Sequence, residues 1–306
     1  MRFYVAITDF DWFTCLSAQK PDEVNFWQPS GSSQFRALET GEPLLFKLHS
    51  PRNYIVGGGF LSRFTLAPLS FAWEAFGTKN GTQSLDEMRD RVWKYRNSSP
   101  TGTTEEVIGC ILLQQPFFFD EPEWIPVSDW AQSIVRGKGY DTAEVRGNEI
   151  WTEVQNRLAN PVPVPDESVA MAEERFGKAQ IVLPRLGQGG FRVIVADIYN
   201  RSCALSSSHI LHILDAAHIR PYAQGGTHSP TNGLLLRQDI HTLFDRGYIT
   251  VTPEYRVEVS KRIRQEFNNG ADYYAMHGRP IHLPGIEQLR PSADALRWHN
   301  DVVFRP

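Results

Sequence analysis

Hydrophobic and polar positions along this chain follow two rhythms, one of period two and one near 3.6. Arg2 to Thr8 alternates closely enough to predict a strand, and Pro43 to His49 and Tyr54 to Leu61 predict two more. The last of these runs through Gly57, Gly58 and Gly59. Three glycines inside a strand predict a bulge or a close backbone approach. The polar stretch after FDWF leads into Asn25 to Gly31, which reads as a loop unusually rich in aromatic residues. Phe35, Leu38 and a closing Gly41 suggest a short helix, and Leu69 to Phe76 suits a helix or a strand edge. Leu85 to Tyr95 places Leu85, Met88, Val92 and Trp93 at helical spacing, and Val107 to Leu113 is a buried-type strand. Further on, residues 186–200 (LGQGGFRVIVADIYN) predict a helix, Ile213 to Ile219 a strand and Leu234 to Leu236 a second short strand. Ile240, Leu243 and Phe244 predict a helix beginning at residue 238, and residues 248–251 and 256–259 suit a hairpin.

The segment Asn160-Pro161-Val162-Pro163-Val164-Pro165 interrupts these patterns and is expected to be extended and semi-rigid. It divides the chain into an N-terminal domain, residues 1–159, a linker, 160–166, and a C-terminal domain, 167–306, whose first part, 167–180, reads as a connecting helix. With 306 residues, 41% hydrophobic and 22% charged, two ordinary globular domains are affordable. No apolar run approaches a membrane span, and the first residues, MRFYVAITDFDWF, read as a strand rather than a signal peptide. Three widely separated cysteines rule out a CxxC zinc site and point to a reducing, cytoplasmic setting. The net charge of −4 does not advertise nucleic-acid binding, but it is unevenly spread. Residues 1–183 hold 17 Lys and Arg against 24 Asp and Glu, whereas residues 184–306 hold 14 against 11 and eight of the nine histidines. Mild positive charge in the second half suits contact with phosphates. GQGG lacks the Lys-Ser/Thr of a P-loop and is not read as a nucleotide loop.

Chemistry concentrates between Asp215 and Asp245, DAAHIRPYAQGGTHSPTNGLLLRQDIHTLFD. The motifs A-H-I-x-P, G-G, N-G-L-x-L and H-x-x-F-D-x-G in that order resemble the HNH endonucleases, whose site is a ββα-metal finger; Gln188, Phe191, Arg192 and Cys203 extend the resemblance upstream. The resemblance implies that His218 is the general base, that Asn232 orients it, and that His241 binds a divalent metal. The chemistry is consistent. Phosphodiester hydrolysis needs an activated water and a cation to neutralise developing charge. A neutral imidazole accepts a proton at pH 7, an amide carbonyl fixes its tautomer, and a second imidazole ligates an ion. Many family members carry an Asp or His directly before the base, where this chain has Ala217. Asp245, on the same helix face as His241, and Asp215 are the candidate replacement ligands, with water in that position as the alternative. Mg²⁺ or Mn²⁺ is the expected ion, with Zn²⁺ or Ni²⁺ also compatible with imidazole.

In the N-terminal half, F-Y-V-A-I-T-D, F-W-Q-P-S-G, L-L-F-K-L and I-V-G-G-G-F are similar in order to PUA-superfamily domains of the EVE and ASCH kind. That resemblance implies a small, partly open β-barrel, so the chain as a whole is expected to be α+β: a PUA-like barrel followed by a ββα-metal nuclease. It also implies a pocket that reads a modified base. A flipped base needs aromatic faces to stack on and polar groups at its edges. Trp27 with Gln28 and Ser32, and Trp12 with Asp11, are the candidates, although Trp27 serves equally well in a core and Trp12 suits the core better. Arg192 and the cluster Lys261, Arg262 and Arg264 are candidate DNA contacts, with a solvated surface as the alternative. Together these readings imply a metal-dependent, modification-dependent endonuclease resembling type IV restriction enzymes. Its substrate would be double-stranded DNA with modified cytosine, and a homodimer would cut both strands. A nuclease acting on RNA or unmodified DNA, or a nucleic-acid binder with a decayed site, are the alternatives.

Overall fold

Arg2–Thr8 forms strand β1, and its alternation is used on both faces. Phe3 and Val5 enter one hydrophobic cluster and Ala6 enters another, as side chains two apart must on a pleated strand. Helix α1 (Phe10–Gln19) follows, then β2 (Glu23–Gln28), β3 (Pro43–Leu48) and β4 (Tyr54–Pro68). Next come α2 (Leu69–Phe76), α3 (Leu85–Arg96), β5 (Val107–Phe118), β6 (Ile125–Pro126), β7 (Gly137–Asp141) and α4 (Val145–Ala159). In this computed structural model every residue is described except 33, 97–104, 129, 132 and 160–186. The expected Pro-rich linker and the helix over 167–180 therefore lie outside the described residues.

The first compact unit comprises the described residues of Met1–Leu66, Thr78–Gly102 and Ile108–Pro184. Its seven-stranded sheet runs β2-β5-β4-β3-β1-β7, with β6 paired to β4. β1 is parallel to β3 and antiparallel to β7. Trp12, Phe13 and Leu16 of α1 enter the cluster on one face, and Ile150, Trp151 and Val154 of α4 enter the cluster on the other. The three glycines of β4 mark a close approach: a Cβ on Gly57 would stand 2.3 Å from the Phe117 carbonyl oxygen, and one on Gly58 would stand 2.8 Å from that of Leu44.

Three local expectations change. FDWF opens a helix instead of ending a strand, because Trp12, Phe13 and Leu16 share a buried helical stripe. Asn25–Gln28 belongs to a strand and not to a loop, in full register with β5 from Glu23↔Gln114 to Gln28↔Gly109. No helix forms among the described residues between Gly31 and Gly41; Leu38 is buried and Phe35 packs on the same cluster from an irregular segment.

The second unit comprises the described residues of Ala67–Gly77, Thr103–Val107 and Arg185–Pro306. Helix α5 (Gln188–Ile198) packs on the antiparallel pair β8 (Leu214–His218) and β9 (Gly233–Arg237) and on α2. Helix α6 (Gln238–Asp245) leads to the hairpin β10 (Ile249–Val251) and β11 (Val257–Val259). Helices α7 (Arg262–Phe267), α8 (Ala271–Tyr274) and α9 (Ala293–Val302) complete it. Helix α2 thus counts with the second unit although it interrupts the first in sequence. The fold is α+β, and among the described residues no helix is long and apolar enough to cross a membrane.

Candidate active site

β8 and β9 pair from Leu214↔Arg237 to His218↔Gly233, and β9 runs directly into α6. His218 therefore ends one strand opposite a glycine. A Cβ on Gly233 would lie 2.6 Å from the Val195 side chain and 3.0 Å from the Phe191 ring. The missing side chain lets α5 press on the strand pair, and Phe191 stacks on His218 with centroids 4.0 Å apart and planes at 15°. Burial first, and then the charges available to His228 and His241, push His218 down to about 4. It is neutral at pH 7.

His218 Nε2 lies 2.9 Å from Nδ1 of His228, one ring donating its N–H to the other. His228 stacks in turn on Tyr222, with centroids 4.9 Å apart and planes at 11°. Sequence reasoning missed His228; the only signal was another histidine in the loop between the two strands.

Asn232 does not meet the expectation that it orients His218 directly. Its Oδ1 accepts from the Arg220 N–H, and its Nδ2 donates to the carbonyls of Arg220 and Thr227, each at 2.9 Å. The side chain is buried and both ends of its amide are satisfied, so it closes the loop that carries His228. Gly226 lies at the neck of that loop, where a Cβ would be 1.8 Å from the Arg220 carbonyl oxygen.

The three proposed metal residues do meet. Asp215 Oδ2 is 3.2 Å from His241 Nδ1, and Asp245 Oδ2 is 3.4 Å from His241 Nε2. Ile240 and Phe244 bury one face of α6, and His241 and Asp245, one residue further on, stand on the adjoining face. Asp215 and Ala217 share a strand face, since residues two apart do. The Asp215 carboxylate thus projects from the same side of β8 as Ala217. Burial pulls His241 down, but its hydrogen bond to Asp215 and the charges of Asp245 and Asp215 outweigh it and the net shift is upward. The hydrogen bond with His241 holds Asp215 below the usual carboxylate range, whereas burial, with the like charge of Asp215, raises Asp245. Among the described residues no three His, Cys, Asp or Glu side chains converge as a ready-made metal cage. The donor chemistry still fits a divalent cation: two carboxylates bracket one imidazole and leave an excess of negative charge, and hard cations complete such partial shells with water.

Arg192 is already engaged inside this unit. It pairs with Glu74 at 3.3 Å, approaches Asp215 at 3.8 Å and lies over Phe71. Arg262 is held by Glu266 at 2.8 Å. Lys261 and Arg264 instead line a surface hollow of about 310 Å³ with Gln265 and Tyr274.

The first unit holds a separate cavity of about 290 Å³. Trp12, Phe26, Trp27 and Tyr95 provide aromatic walls, and Thr8, Asp9, Gln28, Ser30, His49 and Arg136 are among its polar lining. Trp27 Nε1 donates to the Asn80 carbonyl at 2.9 Å, which fixes the plane of its ring. Tyr95 donates to Asp9, and Asp9 also lies 3.4 Å from His49. Trp12 is chiefly core, packed edge-on against Phe26 and Phe46, and contributes one edge to the wall. Asp11 and Ser32 are exposed and do not line the cavity; Asp11 sits in the first turn of α1, and Ser32 lies beyond the rim residue Ser30. Asp9, Tyr95 and His49 were not anticipated, because nothing local joins them.

Residues 203–252 match the family model described as HNH endonuclease. No curated protein matches the chain. Among solved structures, ASCH from Zymomonas mobilis is 11% identical and aligns over 48% of this chain and 94% of that one at TM-score 0.33. A mutant of the same protein aligns over 50% and 95% at 10% identity and TM-score 0.33. The modification-dependent TagI restriction endonuclease is 13% identical and aligns over 92% of this chain and 75% of that one at TM-score 0.25. Residues 203–252 are thus an HNH endonuclease domain, and an endonuclease is the enzyme this chain carries.

Proposed function

We propose that the chain is a metal-dependent DNA endonuclease directed to modified bases, cytosine derivatives foremost. His218 is the general base. Neutral and held against Phe191, it takes a proton from the water that attacks phosphorus as the bond to the leaving sugar oxygen breaks. Asp215 and His241, with Asp245 beside them, would hold a divalent ion, Mg²⁺ or Mn²⁺ first, and Zn²⁺ or Ni²⁺ as alternatives. Such an ion, when bound, neutralises the charge that grows on the phosphate. Asn232 keeps the loop closed, so that His228 stays on His218. Each chain carries one such site, so cutting both strands calls for a second copy. Cys15, Cys110 and Cys203 form no disulfide, which suits work inside a reducing cell.

The observation that carries the modification half is the aromatic cavity of the first unit. At about 290 Å³ it falls at the small end of ligand sites, which run to roughly 300–1,000 Å³. That size suits one base, not a large cofactor. Trp27 and Tyr95 offer stacking faces, and Asp9 and Gln28 offer acceptors for an exocyclic amine such as that of cytosine.

The test is cleavage of matched plasmids carrying cytosine, 5-methylcytosine, 5-hydroxymethylcytosine or N6-methyladenine, and of a structured RNA, with each divalent ion. Modified DNA should be cut and plain DNA spared. Equal rates on all plasmids would defeat the reader and leave the nuclease; cutting of the RNA alone would replace the substrate.

A further inference from the structure

The nuclease unit includes a helix from the N-terminal part of the sequence. α2 buries Leu69, Phe71, Ala72 and Phe76, and it lies so close to α5 that a Cβ on Gly189 would come within 2.5 Å of the Ala75 carbonyl oxygen. On this helix Glu74 joins two elements of the site. Its Oε2 is 3.3 Å from Arg192 Nη2, and its Oε1 is 3.3 Å from Nδ1 of His212, two residues before β8. Arg192 Nη1 also reaches the Glu74 carbonyl at 3.4 Å. The guanidinium is left with its buried Nε facing Asp215 Oδ1 at 3.8 Å, a distance beyond a hydrogen bond, and that Nε has no other partner.

From this arrangement we propose that Glu74 is a positioning residue of the nuclease. By holding Arg192, it keeps the guanidinium from closing into a direct, fork-like pair with Asp215, and so leaves that carboxylate free for the divalent ion. An arginine released from Glu74 has the charge, the donors and the short distance needed to take Asp215 for itself. The inference rests on the assignment of Asp215 and His241 as the metal residues.

Partners one step beyond a metal ligand commonly alter affinity or activity by about 10–100-fold, and Glu74 acts through such a partner, Arg192, so the low end applies. In the full-length protein without DNA, Glu74→Gln should weaken Mn²⁺ binding about tenfold, read from the electron paramagnetic resonance of free Mn²⁺. The Mn²⁺ concentration for half-maximal plasmid nicking should rise by the same factor. Glu74→Asp should recover part of both. Glu105→Gln, which removes a 3.8 Å neighbour of His212 and touches no part of Arg192, should change neither. Wild-type Mn²⁺ affinity in Glu74→Gln would overturn the proposal, even if that variant melts early or cuts slowly, since those losses would mark a merely structural role. If His241→Ala still abolishes metal-dependent nicking in that case, the nuclease reading stands alone. A wild-type protein that neither binds Mn²⁺ nor nicks DNA would sink the nuclease reading and this proposal with it.

Discussion

The nuclease site draws its histidines and carboxylates from one stretch, Asp215 to Asp245, whereas the cavity of the first unit is assembled from strands, a helix and loops between Ile7 and Arg136. The two also differ in how they treat charge. In the nuclease site, groups with displaced proton affinities stand side by side: His218 pushed down, His241 and Asp245 up, Asp215 down. In the cavity, aromatic surface dominates and the carboxylate of Asp9 is shared between Tyr95 and His49. The contrast matches the two tasks proposed above. Moving a proton requires groups poised between protonation states. Holding a planar base requires faces and fixed hydrogen bonds.

The largest expected effect concerns whether the nuclease region stands by itself. A fragment of residues 167–306 lacks α2, and with it the buried Leu69, Phe71 and Phe76. At roughly 1.5–3 kcal/mol for each fully buried large apolar side chain, α2 contributes on the order of 5–9 kcal/mol as an upper estimate. Whole domains are stable by only about 5–15 kcal/mol. The fragment should therefore fail to melt cooperatively in calorimetry; a sharp transition with retained metal-dependent nicking would show α2 to be dispensable.

Next comes the proposed general base. His218→Ala should lower the cleavage rate by roughly 10²–10⁴-fold, the usual worth of general-base catalysis, and leave the binding preference for modified DNA in place. Loss of that preference in a gel-shift comparison would mean that the two regions are not separable in this way.

Acid should distinguish the regions more gently. His299 is buried in the second unit, accepts from Thr250 Oγ1 at 2.8 Å, donates to the Phe244 carbonyl at 3.2 Å, and burial pushes it down to about 4. Its folded value lies below its unfolded one, so its contribution is fully present above about pH 6.5 and is lost as pH falls toward 4. At about 1.4 kcal/mol per pH unit this is on the order of 3 kcal/mol. Hydrogen exchange at residues 249–259, followed against denaturant at pH 7 and pH 5, should show about 2 kcal/mol of that loss, and His299→Gln should flatten it. An unchanged slope in the variant would remove His299 from the acid response.

The smallest effect belongs to the cavity. Trp27→Ala should cost roughly 1–3 kcal/mol of stacking, about ten- to hundredfold in preference for modified over plain duplex, with the nicking rate on saturating DNA unaltered. A fall in that rate with the preference intact would reverse the assignment of roles.

Local patterning was enough to place the order strand, loop, strand, helix around Asp215–Asp245, and the identity of its titratable groups. Those elements are short, adjacent and set by period-two and helical patterns that act within a few residues of one another. What each group touches came from long-range packing. It sent the Asn232 amide to the loop backbone, brought Asp215 as well as Asp245 to His241, and put His228 on His218. It also made Asn25–Gln28 a strand by pairing it with the distant β5, and placed α2 in the nuclease unit. A hydrogen bond or a buried face depends on a partner whose distance along the chain leaves no trace in the local pattern, and so the cavity, built wholly from such partners, was the least legible part of the molecule.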